Sequence, residues 1–192
     1  MKKIITISRE FGAAGGAIGA RLAKELGYEY YDKELILTAA RESNVDVDSL
    51  VKWDEKLPVS FGFTQSLFDF YNTPLSEQIF NAQKKVIRQF AHKGNCVIIG
   101  RNANHILKEY DNTLHVFIHA DFNWRFERMK EKMPGVTDNK VIEGMKTADK
   151  ARARYCIYHT KTEFGAADNY DLCLSTSRLG IDKCIEIIKS AL

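Results

Sequence analysis

The feature that most constrains this chain is its opening. Ile4-Ile5-Thr6-Ile7-Ser8 is a short β-branched run, the composition of a strand buried on both faces. A turn of small residues follows at once: Ser8-Arg9-Glu10-Phe11-Gly12-Ala13-Ala14-Gly15-Gly16-Ala17-Ile18-Gly19. Ile18, Leu22 and Leu26 then recur at i, i+4 and i+8, which predicts a helix over 15–27 with Gly27 past its end. A buried strand that runs through glycines into a helix is the first half of a crossover. Its partner strands must therefore lie parallel to it.

The rest of the chain keeps that alternation. Strands are predicted at 28–31, 95–99, 113–119 and 170–175. Helices are predicted at 33–42 (capped by Asp32), 74–92, 121–132, most of 138–160, and 181–192. The stripe Ile79, Ala82, Val86, Phe90 gives the helix at 74–92 its buried face. Strands separated by helices imply a parallel α/β sheet covered on both sides. Two stretches, 44–73 and 133–165, are long for connections in a compact domain and read as functional flaps. The aromatics Phe61, Phe63, Phe68, Phe70 and Tyr71 of the first either line a base pocket or pack within the flap.

Composition excludes several classes. The 192 residues carry 28 Lys+Arg against 25 Asp+Glu, too even a balance for a nucleic-acid polymer as the partner. No apolar run reaches the roughly 20 residues of a membrane span, and the opening hydrophobic run is too short for a signal peptide. Cys96, Cys156, Cys173 and Cys184 contain no C-x-x-C pair. They read as buried thiols of a reduced, cytoplasmic protein. His115 and His119 have the i,i+4 spacing of a zinc helix but fall in a predicted strand, so no zinc site is expected there.

The glycine-rich turn is the first candidate for chemistry. Gly12, Ala13, Ala14, Gly15, Gly16 and Ala17 let main-chain N–H groups approach a ligand closely, and the helix behind them offers unpaired donors and about half a positive charge. Together these suit a phosphate; a plain tight turn is the alternative. Neither G-x-G-x-x-G nor the strict G-x-x-x-x-G-K-[ST] pattern is present. Arg101 directly follows a buried strand, at the edge where open parallel sheets bind ligands. It reads as a bidentate phosphate ligand or as half of a structural ion pair. Arg125, Arg128, Lys146, Lys150, Arg152 and Arg154 form a basic stretch, either a solvated surface or part of a site. Asp149 either orients those arginines or pairs with one.

Several segments in order carry a family resemblance: Ile5-Thr6-Ile7-Ser8-Arg9-Glu10-Phe11-Gly12, Tyr30-Tyr31-Asp32-Lys33-Glu34-Leu35-Ile36, Leu75-Ser76-Glu77, Cys96-Val97-Ile98-Ile99-Gly100-Arg101, Asp149-Lys150-Ala151-Arg152-Ala153-Arg154-Tyr155, Asp168-Asn169-Tyr170-Asp171-Leu172-Cys173-Leu174, and Ser177-Arg178-Leu179-Gly180-Ile181. The chain resembles, essentially end to end, the cytidylate kinase-like family of P-loop nucleoside monophosphate kinases. The resemblance implies one domain with a three-layer P-loop fold: a parallel-sheet core (1–32, 93–132, 166–192), a helical acceptor-binding insertion (33–92) and a basic lid (133–165). It implies transfer of a phosphoryl group from ATP, with Mg²⁺, to a nucleoside monophosphate, CMP or dCMP. Arg101, and Asp32 besides its capping role, would contact the acceptor. Arg152 and Arg154 would act from the lid. Arg125 and Arg128, with Ser175, Ser177 and Arg178, would contact the donor nucleotide; a serine-rich turn capping the last helix is the other reading of 175–178. Relatives usually read Gly-Ser-Gly-Gly-Arg-Glu where this chain has Gly12-Ala13-Ala14-Gly15-Gly16-Ala17, so Arg9 is the nearest substitute for a loop cation. A kinase of another small acceptor, or a nucleotide-binding regulator without turnover, are the rival functions.

Overall fold

The computed structural model describes residues 3–32, 36 and 74–192. The described residues hold five strands, β1 (Ile4–Arg9), β2 (Glu29–Tyr31), β3 (Cys96–Ile99), β4 (Thr113–His119) and β5 (Leu172–Ser175), and six α-helices. These are α1 (Gly15–Leu26), α2 (Pro74–Lys93), α3 (Ala103–Ile106), α4 (Phe122–Lys132), α5 (Asp138–Thr160) and α6 (Thr176–Ser190). The strands form one parallel sheet in the order β2-β3-β1-β4-β5. β1 is central, with Ile4 opposite Cys96 on one side and Thr113 on the other.

The apolar runs are buried as their composition requires. On one face Ile5, Ile7, Val97, Ile99, Val116 and Ile118 pack against Ile18 and Leu22 of α1 and Cys184, Ile185 and Ile188 of α6. On the other, Ile4, Cys96 and Ile98 meet Val86, Ile87 and Phe90 of α2, with Ala151 and Tyr155 of α5. Helices on both faces of a parallel sheet make three layers. Because Ala151 and Tyr155 belong to this core, the second half of α5 is a core helix. A third cluster joins Met129 of α4 to Val141 and Met145 of α5, with Phe11 packed on it.

Four differences from the sequence expectations are informative. α3 was not expected, and four residues are too few to show a period. α6 begins five residues before the apolar pattern, because one turn at 176–179 precedes a break at Gly180 (φ 77°, ψ 162°). Cys173 is exposed while Cys96, Cys156 and Cys184 are buried. That corrects the expectation of four buried thiols: β5 is an edge strand, and Cys173 lies on the face away from Leu174 and the α1–α6 core. His115 and His119 both lie in β4, where four residues span about 13 Å, and the His115 ring shares a 2.8 Å hydrogen bond with the Thr6 hydroxyl. The expected helix over 33–42 and the flap over 44–73 lie outside the described residues, apart from Ile36.

Candidate active site

The turn after β1 is shaped by backbone that side chains would not allow. Gly12 has φ 82°, and a Cβ there would lie 3.1 Å from Met129 Cγ and 3.2 Å from Arg125 Cβ. Ala14, the residue before α1, takes the left-handed conformation at φ 67°. Gly15 makes room for Arg9: a Cβ on it would sit 2.6 Å from Arg9 Cβ.

The carbonyls of this loop are nearly all tied inward. Arg152 Nη1 donates to Arg9 O at 2.8 Å, Arg125 Nη1 to Phe11 O at 3.0 Å, and Arg128 Nη1 to Gly12 O at 3.3 Å. The buried Thr176 hydroxyl donates to Ala13 O at 3.1 Å, and Ala14 O accepts the Ile18 N–H at 3.0 Å. Asp149 Oδ1 accepts the Phe11 N–H at 2.7 Å, and Glu10 Oε2 accepts the Ala120 N–H at 3.0 Å. Carbonyls held toward the protein turn the opposed N–H groups the other way. The first turn of α1, at Gly15, Gly16 and Ala17, has donors without intrahelical partners and no acidic residue. The Ala13 N–H is tied too, to Glu10 O at 3.4 Å; the other amides of 12–17 leave a cup of main-chain donors at the carboxyl edge of the sheet, a geometry suited to phosphate.

Three guanidinium groups from three elements border that cup. The Arg9 stem passes beneath Gly15 and its Nη1 reaches Gly100 at the end of β3. Gly100, Arg101 and Asn102 are all left-handed (φ 70°, 57° and 53°). For Arg101 and Asn102 that conformation costs about 1–2 kcal/mol each; strain of this kind persists where surroundings over-determine it, often at functional sites. The Arg101 guanidinium lies 5.9 Å from the centre of the Tyr155 ring, and the Tyr155 hydroxyl is fixed by donating to Gln83 Oε1 at 2.8 Å. Arg152 comes from α5, over the Phe11 ring at 5.6 Å. Burial pulls the Arg9 pKa down to about 10 and repulsion by Arg101 adds to it, against the opposing pull of Tyr30 and Asp32. Burial also holds Arg152 well below its ordinary value. Arg9, Arg125 and Arg101 repel it while Asp149 attracts it.

The other candidate residues lie around this centre. Asp32, directly after β2, lies close enough to Arg9 to favour its charge, and its carbonyl accepts the Ile36 N–H at 3.0 Å, as at the start of a helix. Arg125 and Arg128, expected at a donor nucleotide, hold the loop instead: each donates to one of its carbonyls, and Arg125 is 8% exposed and paired with Asp149 at 2.5 Å and Glu10 at 3.5 Å. Arg154 is exposed, two residues from Arg152 and so on another side of the helix. Ser177 Oγ accepts the Asp121 N–H at 3.0 Å and lies 3.1 Å from Ser175 Oγ; exposed Arg178 comes within 3.8 Å of Asp121. The sequence reading missed Thr176, Glu10 and Tyr155, whose partners are remote in the chain. A cavity of about 550 Å³, lined in part by Glu10, Asp149, His119 and Phe164, adjoins the back of the loop.

Comparison with solved structures places this arrangement. An uncharacterized protein from Eubacterium ventriosum ATCC 27560 superposes with a TM-score of 0.75 at 26% identity, over 99% of this chain and 98% of that one. Shikimate kinase from Bacteroides thetaiotaomicron superposes at 0.57 with 12% identity, over 100% and 98% of the two chains. Shikimate kinase from Acinetobacter baumannii, in complex with shikimate, superposes at 0.53 with 12% identity, over 100% and 93%. The fold is thus that of P-loop kinases. Comparison with curated proteins gives no match. The sequence model of the cytidylate kinase-like family matches residues 4–178, and by that match, spanning all five strands of the sheet, the chain belongs to the cytidylate kinase-like family.

Proposed function

We propose that this protein transfers the γ-phosphoryl group of ATP to a nucleoside monophosphate, with CMP or dCMP as the acceptor. One observation carries the reading: Arg9, Arg101 and Arg152 converge from β1, β3 and α5 beside a cup of main-chain donors. Like charges brought together in a partly dry site repel each other, and a polyanion reverses that penalty. The cup takes the donor phosphates through the amides of Gly12, Ala14, Gly15, Gly16 and Ala17, with Arg9 standing in for the missing loop cation. Arg101, after β3, holds the acceptor phosphate, with Asp32 toward its sugar or base. Arg152, with Arg154 on the same helix, acts from the part of the 133–165 stretch that packs into the core; Arg152 spreads the charge of the transferring group. Ser175, Ser177 and Arg178 border the donor base. Arg125 and Arg128 serve the donor indirectly, by holding the loop.

In the transfer an acceptor phosphate oxygen forms a bond to the γ-phosphorus, the bond from that phosphorus to the β–γ bridging oxygen breaks, and ADP leaves with the electron pair. The acceptor oxygen is already anionic, so no general base is required; positioning and charge neutralisation do the catalysis. Residues 12–17 contain no hydroxyl or carboxylate, and among the described residues no group of three His, Cys, Asp or Glu could hold a metal. This donor set fits Mg²⁺ carried on the nucleotide phosphates with its own waters, where it would neutralise phosphate charge. Among the described residues no helix is long and apolar enough to cross a membrane.

A coupled assay of ADP release with CMP, dCMP, UMP, AMP and shikimate tests the proposal. Turnover with CMP or dCMP is the expected result. Turnover only with another acceptor replaces the acceptor, and nucleotide-dependent melting without turnover replaces the enzyme by a nucleotide-binding regulator.

A further inference from the structure

Helix α5 grips the phosphate loop at two points one turn apart, and the first grip has an unusual form. Asp149 Oδ1 accepts the Phe11 N–H at 2.7 Å, while its Oδ2 takes Arg125 Nη1 at 2.5 Å. The same Nη1 donates to Phe11 O at 3.0 Å. One carboxylate thus closes a ring around both main-chain groups of a single residue. An ion pair made only to neutralise Arg125 would need no contact with the Phe11 amide, since Glu10 also lies 3.5 Å from that guanidinium. The second grip, Arg152 on Arg9 O, fixes the peptide two residues earlier.

We propose that Asp149 is a positioning residue for the donor phosphates. It takes the Phe11 N–H out of the cup and, through Arg125, draws the Phe11 carbonyl inward. Those two constraints set the peptide orientations over residues 10–13, where the Ala13 N–H turns to Glu10 O at 3.4 Å, and leave the amides of residues 14–17 facing the polyanion. The hydrogen bond to Phe11 is charge-assisted and partly buried, the class of contact with the largest effect when removed. Because α5 also carries Arg152, the loop's shape and a transfer-side cation are set by one rigid element. This inference rests on the reading above that the loop binds phosphate.

The test uses Asp149→Ala and Asp149→Asn in the full chain, with sodium tripolyphosphate as the probe in calorimetry and with steady-state kinetics. In Asp149→Ala, exchange of the Phe11 amide should quicken by about tenfold or more, tripolyphosphate affinity should fall by about tenfold, and KM for ATP should rise to match. KM for the acceptor should stay within about threefold, a split that general loosening would not produce. Asp149→Asn keeps an oxygen for the Phe11 N–H and should recover most of the loss. Unchanged tripolyphosphate affinity in folded Asp149→Ala, or an equal rise in both KM values, overturns the proposal. Should Asp149→Ala fail to fold, Asp149→Asn decides: a wild-type affinity together with wild-type Arg9–Ala13 amide exchange supports it, and a loss as large for acceptor as for ATP overturns it. Wild-type protein that binds tripolyphosphate but transfers nothing removes the kinase reading and leaves this comparison intact. Wild type that binds no phosphate overturns both.

Discussion

The strand of main chain from Arg9 to Phe11 separates two arginine environments of opposite character. On one side Arg125 is 8% exposed and faces two carboxylates, Asp149 and Glu10, while its Nε and Nη1 also donate to Ala120 O and Phe11 O. On the other side Arg9, Arg101 and Arg152 approach one another closely enough that mutual repulsion, added to burial, depresses Arg9 and Arg152. The first environment is matched within the protein; the second is cation-rich. Identical side chains therefore do different work: the matched arginine only holds the loop in shape, while the repelling ones, of which Arg152 also grips Arg9 O, stand ready for a negatively charged ligand.

The sharpest way to break this contrast is to remove one arginine from each side. Arg152→Met should lower kcat by about 10³-fold or more, the scale of an arginine that meets transition-state charge. Its melting temperature should stay within about 3 °C of wild type, because relief of the repulsion and the retained contact with Phe11 offset the lost hydrogen bond to Arg9 O. A large loss of stability with modest loss of rate would place Arg152 among the structural arginines instead.

Arg125→Met should show the reverse profile. It strands Asp149 and Glu10, which are 26% and 29% exposed, without their shared cation. Breaking a buried pair in this way costs about 3 kcal/mol, or about 6–12 °C in melting temperature for a chain of this length. Thermal unfolding followed by circular dichroism measures it. A variant that melts like wild type but no longer binds ATP would mean that Arg125 contacts the nucleotide directly.

Much of the architecture was legible before any coordinates, and the reason is periodicity. β-branched runs at 4–8 and 95–99 and the stripe from Ile79 to Phe90 report burial locally, so the order of strands and helices follows from short windows. The loop's position was legible too, since small residues between a strand and a helix are a local signal. What holds the loop was not. Phe11 O is bound by a residue 114 positions away, Arg9 O by one 143 positions away, and Ala13 O by one 163 positions away. No window shows such pairs, and a basic residue on a helix reads alike whether it is half-buried and grips a loop carbonyl, as Arg128 does, or is exposed, as Arg154 is. Cys173 shows the same limit from the other side: its apolar neighbours suggested burial, but edge position is a property of the assembled sheet.

The smallest expected effect bears on the cation-rich side alone. Tripolyphosphate at about 100 times its dissociation constant should add about 2.7 kcal/mol to stability, or about 5–10 °C. The pH dependence carries the sign of Arg9. In the free protein this guanidinium is pulled down to about 10, so it is charged at pH 8 and loses its proton as pH rises through about 10. The stabilisation by tripolyphosphate should then be level from pH 7 to 9 and shrink above that. The free fold responds oppositely: between about 10 and the ordinary arginine value the unfolded chain holds more protons at this residue, so Arg9 itself favours folding as pH rises there. Lysines titrate in the same range, which makes Arg9→Met the necessary control. It should show a smaller shift at pH 8 and a shallower decline through pH 10. If its decline matches wild type, the lysines alone account for the effect, and Arg9 is not among the groups that receive the anion.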